Sequence, residues 1–552
     1  MLTHPVSVYI NWSAYDELSD AVPLTEAIAM TQLRHLLRLR ELGVRFDYYM
    51  MDCFWYARDT GYRSFRTPHW PDGPGVWLDK CAANNVLPGL WISTNCLWAG
   101  LDVIPAWKDS KDATREVLAF AQGGYLPHLM ESLDIWYQRG VRAYKFDFAD
   151  FAAATPDMLA TMLPHEIRTA NIVAFRAALC RFRQTHPDCL LMGYNGFEDH
   201  PIQGATDEPL RKSIDTRWLD AFDSLYCGDP RPADVPCMNF WRSKDIYSDH
   251  MVRVYQNSDL PLSRIDNAGF MIGTTGTCYY RGKSAWKAML LLSLARGGWV
   301  NTYYGNLDLL TDEDAAWFAK AQQLFWPHIS KNQIATVGDL PGAAGVYGCG
   351  SEGEAPGHFT IVVNPAQKMA ETAVNRGRVL YHDGAQVKYN SQGIVLGPEQ
   401  MVLVGEGIYE EPEWDLGNDT EVVIPGAIAK LDATFTQEGP STRGTVAPPA
   451  GQTLRIIFQQ FEESTGRAKR TTGGSPPKGT PLGQMLTLQA TQAGRDLPVK
   501  INYDKAIWSG LSWAVGEIDC AAIPVTPIEI TGSTTETGKL KLTCDLYAVD
   551  YR

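Results

Sequence analysis

Cysteines at metal-ligand spacing are missing from this chain. Its 11 cysteines are scattered over 552 residues, an odd number with no Cys-x-x-Cys pair. That speaks against a disulfide framework and a zinc site, and for reduced thiols. A basic surplus is missing too: 49 Lys and Arg stand against 63 Asp and Glu, a formal net charge of −14. No nucleic acid and no anionic membrane surface is therefore expected as a partner. No apolar run approaches the roughly 20 residues that cross a bilayer. The opening Met1-Leu2-Thr3-His4-Pro5 has neither the charged nor the apolar region of a signal peptide. A cytoplasmic protein is expected, although a secreted chain with its signal removed would read the same. No Gly-x-Gly-x-x-Gly fingerprint or phosphate loop is read after a strand, so no nucleotide cofactor is expected. No His-Glu-x-x-His and no Gly-x-Ser-x-Gly elbow occurs, which leaves metal chemistry and a serine nucleophile without support.

The composition is otherwise globular, with 45% hydrophobic and 20% charged residues. Aromatics are plentiful, with 17 tryptophans and 24 tyrosines; flat rings of this kind suit a site that stacks on sugar faces, and they also fill cores. The length calls for two or three domains. Residues 6–12 read as a strand, 26–42 as a helix ended by Gly43, and 44–55 as a strand closing on an acid and aromatics. The alternation continues with a helix at 77–84 and a strand at 86–93. A helix at 126–139 leads to the strand that carries Asp147, and one at 170–183 leads to a strand at 189–195. Further strands fall at 221–227, 263–271 and 299–304. Such alternation over about 300 residues, with polar strand ends, predicts a (β/α)8 TIM barrel rather than an open doubly wound sheet. Beyond about residue 330, short β-rich runs separated by Gly, Pro and Asn predict antiparallel sheets. The expected division is a barrel at 1–328, a β-sandwich at 329–410, a linker near 405–414, and a further all-β domain at 420–552 with a polar loop at 471–480.

The stretch Val141-Arg142-Ala143-Tyr144-Lys145-Phe146-Asp147 is the centre of the functional reading. It runs as a buried strand and then places charge at its end, where a barrel of this type collects its reacting groups. Asp147 is the candidate nucleophile. Lys145, two residues earlier and so on the same face, is expected to keep it ionised. A strand end closed by a salt bridge is the alternative for the same triplet. Glycoside cleavage with retention needs a second carboxyl about 5–5.5 Å from the first. The charged, aromatic segment 238–249 offers Asp245, with Arg242 three residues before it; Asp249 and Asp229 are its rivals, and a solvated surface cluster is the plain alternative.

Lys145-Phe146-Asp147 after a strand resembles the Lys-x-Asp nucleophile motif of the α-galactosidase clan, glycoside hydrolase families 27 and 36 and the related family 31. Trp241-Arg242-Ser243-Lys244-Asp245-Ile246 resembles the proton-donor segment of family 27 and that of raffinose-synthase-like members of family 36. Met51-Asp52-Cys53-Phe54-Trp55 resembles the first-strand motif that binds the terminal sugar. Pro71-Asp72-Gly73 and Gly89-Leu90-Trp91 resemble segments that follow it. The resemblance covers residues 45–310 and, more loosely, 330–405.

The resemblance implies a retaining α-glycosidase with Asp147 as nucleophile and Asp245 as acid/base. Asp52 and Lys145 would hold sugar hydroxyls, Trp91 and Trp241 would lie at the sugar pocket, and Arg242 would steady the ring. Asn195 and Asp266 are further lining residues, for which a structural hydrogen bond is the equal alternative. The substrate would be an oligosaccharide or glycoconjugate ending in α-linked galactose or a related sugar, and homo-oligomerisation is compatible with the sequence. Two departures stand out: Cys53 replaces the second acid of the first-strand pair, and the large N-terminal β-domain of many family 36 enzymes does not precede the barrel. A raffinose-synthase-like transglycosidase and a non-catalytic carbohydrate-binding protein are the alternatives.

Overall fold

The computed structural model describes every residue except 13, 15–23, 54, 198–214, 227–235, 239–259, 274–282, 284–285, 340–344, 375–376, 385–386, 420–421, 472–484, 502–510 and 552. The chain forms two compact units. The first comprises Met1–Gly228, Met251–Gly273 and Arg296–Gln333; the second comprises Asp229–His250, Thr274–Ala295 and Ile334–Arg552.

The first unit is the barrel. Its strands are β1 (Val6–Ile10), β2 (Tyr48–Met51), β3 (Leu87–Ser93), β4 (Ala143–Asp147), β5 (Leu190–Gly193), β6 (Ser224–Leu225), β7 (Asp266–Ile272) and β8 (Val300–Gly305). They form one parallel sheet in the order β6-β5-β4-β3-β2-β1-β8-β7. A parallel bridge from Leu225 to Ile265 joins the two edges, so the sheet curls round to a (β/α)8 arrangement. Every residue of β1, β2, β4, β5, β7 and β8 is buried, as befits strands covered on both faces.

Local signals start and stop the helices. Thr25 caps α1 (Glu26–Glu41) by accepting from the Ile28 N–H at 3.3 Å, and Gly43 at φ 94° turns the chain out of it. Helices α2 (Gly75–Ala83), α3 (Tyr125–Gln138), α4 (Pro156–Thr161) and α5 (Pro164–Thr185) follow. In α5 the Glu166 carboxylate reaches back to the Leu163 N–H at 2.8 Å. After α6 (Trp286–Ala295), which belongs to the second unit, α7 (Asp312–Ser330) starts with three acids in its first turn and a Thr311–Asp314 capping box.

The strands are shorter than their apolar runs suggest. Residues 44–55 contribute only Tyr48–Met51 to the sheet. Beyond Met51 the backbone turns to side-chain partners, the Asp52 N–H donating to Asn11 Oδ1 at 2.8 Å. The rim begins where the ladder ends.

The second unit is built from mostly antiparallel sheets. A six-stranded sheet contains Gly357–Val363 and Met401–Gly407 paired along their whole length, and a three-stranded sheet accompanies it. Two five-stranded sheets account for most of the chain from Ala427 onward. Between them lies an apolar core containing Leu454, Ile456, Phe458, Trp513 and Ile530. The linker expected near 405–414 is ordered instead. Met401–Gly407 runs into it, and 3-10 turns at Ile408–Glu410 and Pro412–Trp414 follow, with buried Tyr409 packed edge-on against Trp414. Burial of Tyr409 outweighs the breaker composition of that stretch. Gly348-Cys349-Gly350-Ser351-Glu352-Gly353 has the spacing of a dinucleotide fingerprint, but it lies on and just after the antiparallel strand Tyr347–Ser351. No helix N-terminus follows it to receive a phosphate. No disulfide joins any of the nine described cysteines, and no described helix is long and apolar enough to cross a membrane.

Candidate active site

The site grows from the carboxyl ends of β1 to β5 and β8. Asp147 is the last residue of β4 and retains 6% exposure. Its carboxylate is gripped from three sides. Oδ2 accepts from the Trp91 indole N–H at 3.2 Å. Oδ1 accepts from the Asn195 amide at 2.9 Å, from the Asn195 backbone N–H at 3.2 Å and from its neighbour Phe148 N–H at 2.9 Å. Trp91 comes from β3 and Asn195 from the end of β5, the two strands that flank β4 in the sheet. A carboxylate so held has one orientation.

Lys145 sits one pleat below on the same face, 4% exposed. Its ammonium is not spent on Asp147. Nζ donates to Asp52 Oδ2 at 2.9 Å, and it lies 4.2 Å from the centroid of the Tyr194 ring and 5.9 Å from that of Tyr304. The Lys145 charge does favour the ionised Asp147, as expected, but it does not cancel the effect of burial. Burial pushes the Asp147 carboxyl above the usual aspartate range, and the more distant Lys145 charge with the Asn195 and Trp91 hydrogen bonds offsets that only in part. For Lys145 itself burial favours the neutral amine, yet Asp52, Tyr304 and Asp147 together raise its pKa, so it is an ammonium. Beside Asp52, burial also drives the Cys53 thiol well above its ordinary value, with the Asp52 charge adding to the effect. Cys53 is therefore a thiol, a neutral group where a second acid was the pattern.

Under the lysine lies a hydrogen-bonded floor. The Tyr194 hydroxyl donates to Asp266 Oδ2 at 2.9 Å and meets the Tyr304 hydroxyl at 3.0 Å. Tyr194 also stacks on Tyr226 at 4.3 Å. Asp266 opens β7 rather than closing it, and is buried. Trp12, after β1, packs edge-on against Tyr304.

These contacts join Trp91 and Asn195 to Asp147, and Asp52 to Lys145; the two groups share β4, which carries both Lys145 and Asp147, and Asp266 joins the second through Tyr194. Asp245, Trp241 and Arg242, with the rivals Asp229 and Asp249, lie outside the described residues. Sequence reasoning passed over Asn11, Tyr194 and Tyr304. Asn11 carried a readable signal, a lone amide closing an apolar run as Asp52 closes β2. The tyrosines carried none, because an aromatic in a buried strand reads as core. Among the described residues no cluster of His, Cys, Asp or Glu has the arrangement of a metal site.

Neither a protein-family profile nor a curated protein matches the sequence. Solved structures do. The galactosidase domain of the α-galactosidase–sucrose kinase AgaSK aligns at 14% identity and TM-score 0.49, over 73% of this chain and 55% of that one. A variant of the family 36 α-galactosidase AgaA from Geobacillus stearothermophilus, in complex with raffinose, aligns at 11% identity and TM-score 0.47, over 73% and 56%. A family 27 β-L-arabinopyranosidase from the same organism, in complex with arabinose, aligns at 12% identity and TM-score 0.46, over 73% and 97%. This chain thus spans just over half the length of the two α-galactosidases; of these three structures, AgaA is described as a family 36 and the arabinopyranosidase as a family 27 glycoside hydrolase.

Proposed function

We propose that the protein is a retaining α-glycoside hydrolase that removes a terminal α-linked galactose or a related sugar. Residues 1–328 would form the catalytic barrel, with 329–410 and 420–552 as accessory β-domains. One observation carries the reading: a single carboxylate, Asp147, stands at the end of β4, oriented by Trp91 and Asn195 and separate from a charge-paired lysine. The Lys145 ammonium makes its ion pair with Asp52, and one oxygen of Asp147 carries a single indole donor, which leaves it a lone pair for an anomeric carbon.

In the proposed reaction an Asp147 oxygen attacks C1 of the sugar, the C1–O bond to the leaving group breaks, and a glycosyl ester with Asp147 forms. Asp245, assigned from the resemblance of residues 241–246, donates its proton to the departing oxygen. It then takes one from the water that cleaves the ester, and the sugar leaves with its original configuration. Asp52 and Lys145, acting as a fixed acceptor–donor pair, would bind adjacent sugar hydroxyls. Trp91 keeps Asp147 aligned.

A panel of p-nitrophenyl α-glycosides, with raffinose as a natural-type substrate, tests the proposal. Nitrophenol release from the galactoside or a close epimer is expected, and proton NMR should show the α-anomer of the sugar first. Transfer to a sugar acceptor would appear in the same spectra as a new glycoside. No turnover of any panel member, with sugar binding retained, would replace the enzyme by a binding protein.

A further inference from the structure

Trp98 is the one large aromatic of the barrel rim left mostly in solvent among the described residues, 58% exposed. It sits on a short 3-10 turn, Leu97–Ala99, whose other two residues are buried. Its indole packs on Phe148 at 4.5 Å between ring centroids. Phe148 in turn meets Trp91 edge-on at 5.8 Å, and Trp91 donates to Asp147. Three rings therefore run without a break from the buried carboxylate to solvent.

The line is held rigidly. Phe148 adopts φ 55°, a left-handed backbone that a non-glycine residue enters at a penalty of roughly 1–2 kcal/mol, and this sets its ring between the two indoles. Four successive residues of the loop after β3 are tied to the chain around Asp147 or to its rim. The Thr94 N–H and hydroxyl donate to the Asp147 carbonyl at 2.6 and 2.7 Å. Asn95 exchanges two hydrogen bonds with the Asp150 backbone, each 2.8 Å. The Cys96 thiol donates to the Phe148 carbonyl at 2.9 Å, and the Leu97 N–H to the Glu116 carbonyl at 2.9 Å. The distance from Trp98 to the nucleophile is thus built in. Charged groups lie on chain close to the turn in sequence or tied to it: Asp102, three residues after Ala99, pairs with Arg58 at 2.9 Å, and Asp150, bonded to Asn95, pairs with Arg115 at 2.6 Å. An exposed, rigidly backed indole face is the chemistry that stacks on a pyranose, which is apolar on its C–H face and polar at its edge.

The geometry points to Trp98 as the platform for the sugar unit on the leaving-group side of the scissile bond, so that the site reads an oligosaccharide rather than a lone glycoside. This rests on the hydrolase reading for its direction, and on the ring contacts for the platform itself. Two measurements separate them. The first compares kcat/KM on raffinose with kcat/KM on α-galactosyl fluoride, whose leaving group is a single atom that needs no platform and no proton. Trp98→Ala should lower the ratio of the two about tenfold or more, and Trp98→Phe should hold it within about threefold. The second is calorimetric titration of raffinose into Asp147→Ala and Asp147→Ala/Trp98→Ala, where the second variant should bind about tenfold more weakly. Weaker raffinose binding with no turnover in the wild type would keep the platform and remove the hydrolase. Equal ratios and equal binding with and without the indole would overturn the platform, whatever the activity.

Discussion

Lys145 on β4 pairs its ammonium with Asp52, which follows β2 two strands away in the sheet, with Nζ and Oδ2 2.9 Å apart and both side chains almost wholly buried. The two acids are thereby given different electrostatic lives. Asp52 is one half of an ion pair, and Asp147 is a buried carboxylate hydrogen-bonded by neutral donors, with the Lys145 charge acting on it from further off.

The pair makes the first prediction. Removing one partner of a buried ion pair strands the other, at about 3–5 kcal/mol. Lys145→Met and Asp52→Leu should each lower unfolding stability by that order in urea, while the double variant Lys145→Met/Asp52→Leu should recover part of the loss. Equal stability of either single variant and the wild type would show that the pair does not persist in solution.

Asp147 makes the second. Its raised pKa comes first from burial, so the ionised form is less favoured in the folded than in the unfolded chain. The resulting destabilisation is absent below the ordinary aspartate value of about 3.9. It builds in as pH rises from there through the raised folded value, and is constant above it. The stability of the wild type relative to Asp147→Asn should therefore fall across that window and level off at higher pH. The acid limb of kcat/KM should lie above the ordinary aspartate range, because the attacking form is the carboxylate.

Turnover tests the same residue directly. Asp147→Ala should lower kcat by about 10⁴-fold or more. Azide entering the vacated space should restore part of it by forming the β-glycosyl azide, with the leaving group departing as before. A variant that keeps wild-type kcat would remove Asp147 from the reaction.

Asn195 tunes the carboxylate. Its amide donates to Oδ1 at 2.9 Å and lowers the Asp147 pKa against the effect of burial. Asn195→Ala should move the acid limb of the pH–rate profile upward and reduce kcat/KM about tenfold at neutral pH, each hydrogen bond to a charged group being worth about 1.5–3 kcal/mol. An acid limb that stays in place would mean the amide does not lower the Asp147 pKa.

Phe148 provides a test of backbone strain. Phe148→Gly and Phe148→Ala both lose the ring, but only glycine is at ease at φ 55°. The glycine variant should be the more stable of the two by about 1–2 kcal/mol in thermal unfolding. The reverse order would show that the left-handed turn after Asp147 is not kept.

The barrel was legible because its signals are local. Apolar runs at strand length, helices at 3.6-residue spacing and an acid or amide at the end of a run are properties of neighbouring residues. The strand through Lys145 and Asp147, the helix from Glu26 to Glu41 and its stop at Gly43 are read from such patterns. The stretch near 405–414 was misread for the same reason: local breakers say nothing of a Tyr409 that finds a buried seat.

What the linear text determined by itself was the order of strands and helices and which polar groups stand at strand ends, since period and composition dictate these. Who meets whom was decided only when eight strands came into register. Lys145 finds Asp52 across 93 positions of sequence, Asp147 finds Trp91 and Asn195 from the strands on either side, and Trp98 reaches the carboxylate through Phe148. Side chains on separate strands share no local signal, and only the curling of the sheet brings their ends to one rim.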